Sequence, residues 1–94
     1  VSDVQRKQAA LIGALIGDAA SLGFHWLYDP DRIRERGGKV PEFRDPDPSD
    51  FEGCDGFFAH GSKRAGDLTH YGEQCLVPLR AVASAGRWNP SSVQ

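Results

Sequence analysis

The sequence predicts an all-α fold, and three observations carry that prediction. Val4, Gln8, Leu11, Ile12, Leu15, Ile16 and Ala19 recur at helical spacing. Asp29-Pro30 and Gly37 bracket a short charged segment with helix start and stop signals. Tyr71, Cys75, Leu76, Leu79, Val82 and Ala83 form a second apolar stripe, expected as the buried side of its helix, with Gly86 as its stop.

The first helix is expected over 4–21, capped by Ser2 or Asp3. Ala10, Gly13, Ala14 and Gly17 give it a row of small residues at spacings of three and four. Each glycine costs about 1 kcal/mol in helix propensity. A backbone packed closely against that row is therefore expected. Asp18 follows in the last turn, where the helix dipole disfavours a carboxylate by about 0.3–1 kcal/mol if exposed. It calls for a compensating partner (a cation, a metal or backbone donors), with solvent exposure as the alternative.

Leu22-Gly23-Phe24-His25-Trp26-Leu27-Tyr28 is an aromatic cluster suited to a small core. His25 within it is either a hydrogen-bonded core residue or a group for ligand contact or proton transfer. A short helix is expected over 30–36, with Asp29 as its cap, Pro30 in its first turn and Gly37 as its close.

Residues 37–66 lack helical or strand periodicity. Pro41, Pro46 and Pro48 punctuate an acidic stretch, and Gly53, Gly56, Gly61 and Gly66 follow. A connection of this length is either a functional loop or a linker. Phe51, Phe57 and Phe58 argue for order, since disordered segments are poor in aromatics.

The third helix is expected over 69–85, starting near Asp67 or Thr69. Pro78 lies inside it and should kink it or mark a boundary. Asn89-Pro90 is a further helix-start signal close to Gln94. These few helices leave much apolar surface uncovered. A partial domain of a longer protein is expected, with either a downstream continuation or another chain covering that surface.

Bulk properties narrow the function classes. With 94 residues, a single domain or part of one is possible. A fold of this size buries only roughly 60–65% of its unfolded surface, so independent stability is marginal. A net charge of −2 argues against nucleic acid, which wants a basic face. The longest apolar run is far short of a membrane span. No basic region followed by an apolar stretch marks a signal peptide near Val1. Cys54 and Cys75 fit two thiols in a reducing cytoplasm, with a disulfide as the alternative.

Asp67, Thr69, His70 and Glu73 crowd the start of the third helix. Capping accounts for Asp67 and Thr69, and the helix dipole favours Glu73. In the functional reading, Thr69 and His70 face a cleft with Asp18, and an oxygen-rich cluster there suits Mg²⁺ or Mn²⁺. Lys63 and Arg64 either touch an anionic ligand or are ordinary exposed loop charges. The sequence holds no phosphate-binding glycine loop, His-Glu-x-x-His, nucleophile elbow or Cys-x-x-Cys.

Gly13-Ala14-Leu15-Ile16-Gly17-Asp18-Ala19 resembles the opening helix motif of the ADP-ribosylglycohydrolase family, a small-residue helix ending in Gly-Asp-Ala. Thr69-His70-Tyr71-Gly72-Glu73-Gln74 falls where that family carries Thr-Asp-Asp-Thr. Leu22 to Asp29 and Gly66 to Gly72 look most similar to its crystallin-like branch. The resemblance runs over residues 8 to 86, and only loosely through 38–60.

The resemblance implies an all-α fold of about twice this length or more, with a two-metal Mg²⁺ or Mn²⁺ site. It implies hydrolysis of the glycosidic bond between ADP-ribose and a protein or small acceptor. ADP-ribose-type molecules or ADP-ribosylated proteins are then the expected partners. Asp18, His25 and Asp67 become candidate catalytic residues. His70, Tyr71 and Glu73 become candidate substrate contacts, and Thr69 a candidate metal ligand. The chain also departs from the family. His70 and Tyr71 stand where two aspartates are expected, and Gly72 replaces the second threonine. An imidazole and a phenol are poor substitutes for two hard anionic Mg²⁺ ligands. The alternative is a non-catalytic, crystallin-like structural or ligand-binding protein.

Overall fold

The structure is a computed structural model and describes residues 1–86; the helix start expected at Asn89-Pro90 lies outside them. Three α-helices order the chain: α1 (Asp3–Ser21), α2 (Pro30–Gly37) and α3 (His70–Ala85). Short 3₁₀ turns at Leu22–Phe24 and Pro48–Phe51 were not foreseen. No strand is present among the described residues, and Leu27 and Gly56 form an isolated antiparallel bridge.

Each helix begins as local chemistry dictates. Ser2 caps α1 in a reciprocal box with Gln5. The Asp29 carboxylate accepts from the backbone N–H groups of Asp31 and Arg32 at the start of α2. Thr69 Oγ1 does the same for Tyr71 and Gly72 at the start of α3. α3 runs through Pro78 without ending and closes on Gly86 in the left-handed conformation. The closing glycine of α2 is Gly38, at φ +59°, and not Gly37. Gly37 is the last helical residue, and a Cβ there would lie 2.8 Å from Pro41 Cβ.

The long loop is tied down through polar contacts. Arg32 donates to the carbonyls of Asp50 and Glu52, at 3.0 and 2.7 Å. Arg44 lies 4.8 Å from the centre of the Phe24 ring and donates to the Arg36 carbonyl. It also pairs with the buried Asp50 at 3.7 Å. These contacts fold the loop back over α2 and the aromatic turn.

Two packing expectations are corrected. Leu11, Ile12 and Ile16 on the α1 stripe are 48–57% exposed. Nothing lies within 4 Å of a Cβ built at Gly13 or Gly17, so no backbone packs there among the described residues. On α3, Tyr71, Cys75 and Ala83 are exposed, while Leu76, Leu79 and Val82 are half-buried. The physical reason is common to both: the described residues supply no second layer for these faces. The buried apolar residues, Ala19, Leu22 and Leu27, cluster where α1 meets the aromatic turn.

Candidate functional site

The site begins with Asp18. Its Oδ2 accepts from the Thr69 backbone N–H at 2.8 Å, and its Oδ1 accepts from Thr69 Oγ1 at 2.6 Å. The carboxylate thus sits at the negative end of α1 but at the positive end of α3, where the dipole favours it. Thr69 is fully buried beneath this clamp. The clamp also explains Gly72, because a Cβ there would fall 2.7 Å from Asp18 Cγ.

Above α3 lies an aromatic wall. His25 and His70 have ring centres 5.3 Å apart, and Trp26 lies 5.0 Å from His70. Tyr71 lies 4.2 Å from His70 and 5.2 Å from His25, and it is 53% exposed. Trp26 is held at φ +67°, a conformation costly for a bulky residue. Gly56 makes this possible: Phe57 N–H donates to the Trp26 carbonyl at 2.9 Å, leaving no room for a Cβ at Gly56. His25 also borders a groove of about 420 Å³ between Gly17, Ser21, Phe24 and Pro41.

His60 completes the arrangement and was missed in the sequence. It arrives from the long loop, is buried, and places Nε2 3.4 Å from His70 Nδ1. Its ring centre is 5.0 Å from that of His25. His25 Nε2 is buried with no hydrogen-bond partner among the described residues. A lone histidine in an aperiodic glycine-rich stretch carries no sequence signal. Only the loop path brings it to the other two.

Burial lowers His25 below its ordinary value near 6.5, reinforced by His60 and His70 and opposed by Asp18. His60 is lowered by burial, then by His70 and Lys63, against Asp18 and Glu73. Between the lowered folded values and 6.5, the unfolded chain binds protons that the folded chain refuses. Stability of the metal-free protein should therefore fall as pH drops from 7 through 6.5 and level off below the folded values. Urea midpoints at pH 7, 6 and 5 check this, and His60→Gln should flatten the slope.

The remaining candidates lie elsewhere. Asp67 Oδ2 accepts from the Arg64 N–H in a turn, and Glu73 pairs with Lys63 at 2.5 Å. Asp67 and Glu73 share a separate groove with Lys63, Leu76 and Arg80. The structure brings together Asp18, His25, Thr69, His70 and Tyr71, with Asp67 apart and Glu73 reaching His60 only through its charge.

These donors do not fit Mg²⁺ or Mn²⁺. Both Asp18 oxygens are committed to Thr69, whose hydroxyl in turn caps α3. The nearby free donors are imidazole nitrogens, whereas hard cations take oxygen ligands.

Comparison with known proteins follows the same lines. The chain matches the ADP-ribosylglycohydrolase family over residues 2–94. It is 34% identical over 86 residues to Crystallin J1A of Tripedalia cystophora, covering 89% of this chain and 24% of that relative. Crystallin J1B of the same organism is 45% identical over 40 residues, covering 40% of this chain and 12% of that relative. The chain therefore spans about a quarter or less of these relatives' length. No solved structure matches it significantly. By the extent of the family match, with the Asp18–Thr69 clamp at its centre, this chain belongs to the ADP-ribosylglycohydrolase family.

Proposed function

We propose that the protein is a glycosidic-bond hydrolase acting on an ADP-ribose-type substrate joined to a protein or small acceptor. The observation that supports this most is the convergence of His25 and His70 with Trp26 and Tyr71, next to the Asp18–Thr69 clamp. The exposed Tyr71 ring and the strained Trp26 offer aromatic faces for a nucleobase. His25, kept uncharged by burial, would take a proton from water as the water oxygen bonds the anomeric carbon. The bond from that carbon to the acceptor breaks, and the acceptor leaves with a proton from solvent, to which His25 returns the one it took. Asp18 and Thr69 hold the two helices that carry these groups and do no proton transfer themselves. The free cysteines suit a reducing cytoplasm as its setting.

The test is release of free ADP-ribose from an ADP-ribosylated acceptor. His25→Gln should reduce the rate by about 10²–10⁴-fold, the usual contribution of a general base. A rate unchanged in His25→Gln contradicts the assignment.

A second reading has its own support. Asp18, the carboxylate whose charge acts on both His25 and His60, is wholly engaged in holding α3, and the two relatives carry crystallin names. A non-catalytic, crystallin-like protein would release no ADP-ribose at any pH.

A further inference from the structure

We propose that His25, His60 and His70 form a binding site for a transition-metal ion of the zinc type, held by three imidazoles with a fourth position open. Its donors are imidazoles where the family's site is oxygen-rich, with His70 standing at a position of the family's metal motif; a metal-bound His25 has no free nitrogen to take a proton, so metal loading would block the base role proposed above.

Three observations converge on it. One potential ligand atom from each histidine lies within 4.8 Å of the other two. The His60 Nε2 to His70 Nδ1 separation is 3.4 Å. Two nitrogens bound at about 2.0–2.1 Å in a tetrahedral site would be about 3.3–3.4 Å apart. The separation of this pair matches a coordination edge; the two nitrogens are also within hydrogen-bond reach of each other, a contact that metal binding would replace. His25 Nε2 is buried and has no partner among the described residues. A buried imidazole nitrogen left unsatisfied costs free energy that an apolar residue would avoid, and a metal ion would satisfy it.

The bland alternative is an aromatic cluster that happens to contain histidines. It accounts for the edge-on ring contacts. It does not account for a nitrogen from each of three histidines lying within 4.8 Å of the others, one of them brought in by a 30-residue excursion of the chain as counted from residues 37–66. Three imidazole ligands suit Zn²⁺, Co²⁺, Ni²⁺ or Cu²⁺ and disfavour Mg²⁺. Three protein ligands and an open position are the donor count of catalytic zinc sites.

The test is a titration of the metal-free protein with Co²⁺, followed by displacement with Zn²⁺. Cys54→Ser and Cys75→Ser form the background, so that no thiolate contributes. One Co²⁺ per chain with a four-coordinate visible spectrum is expected, displaced by one Zn²⁺ and untouched by millimolar Mg²⁺. His25→Gln and His70→Gln should each weaken Zn²⁺ by more than about 100-fold, beyond what loss of a supporting contact costs. Both residues are only half-buried, so these variants retain the fold, with far-ultraviolet circular dichroism as the check. Absence of a four-coordinate spectrum, displacement by Mg²⁺, or unchanged Zn²⁺ affinity in both variants overturns the proposal.

Discussion

Asp18→Ala should destabilise the protein by about 3 kcal/mol, the loss of two charge-assisted hydrogen bonds at a buried helix start. The Thr69 N–H and hydroxyl would lose their acceptor, and Thr69 has no access to water as a replacement. Asp18→Asn should lose about half as much, because an amide oxygen still accepts one of the two bonds. Gly72→Ala probes the same contact from the other side. In an ordinary helix it would gain about 1 kcal/mol. Here the added methyl meets the Asp18 carboxylate, and the sign should reverse. Urea unfolding of the three variants reads these effects directly. A stabilised Gly72→Ala would show that the clamp does not hold as described.

The second large effect is expected at Gly56. Its φ of +152° and the approach of the Trp26 carbonyl, 2.6 Å from a built Cβ, exclude any side chain. Gly56→Ala must break the bridge to Leu27 and with it the Tyr28-to-Asp55 and Phe57-to-Trp26 hydrogen bonds. A loss of about 3 kcal/mol is expected, in the range of strained-backbone and unsatisfied-polar effects. The consequence is functional as well. Trp26 loses the hydrogen bond that stabilises its left-handed conformation, and the loop bringing in His60 is released at its nearest anchor. Indole fluorescence should shift to the red as the Trp26 environment opens, alongside the lowered urea midpoint.

What could be read in the sequence follows from which interactions are local. Helix starts at Ser2, Asp29 and Thr69 are short-range chemistry, and the structure has its helices there. The all-α class and the family followed from such signals and from two motifs. Asp18 could be singled out because a carboxylate at the end of α1 needs a partner, although its partner, 51 residues away, depends on tertiary contact. The buried side of α3 was misjudged because periodicity shows which face is apolar but not whether anything covers it. His60 was invisible for a related reason. Its position depends on Arg32, Arg44 and Asp50 folding the loop back, and no residue near His60 announces that path.

The proposed ADP-ribose-type ligand would lie against the wall of Trp26, His70 and Tyr71. The most direct measurement is thermal unfolding of the protein with increasing ADP-ribose. At about one hundred times the dissociation constant, the ligand should add about 2.7 kcal/mol to stability, and His70→Ala should abolish most of that gain. No shift at millimolar ADP-ribose in the wild-type protein would contradict the account.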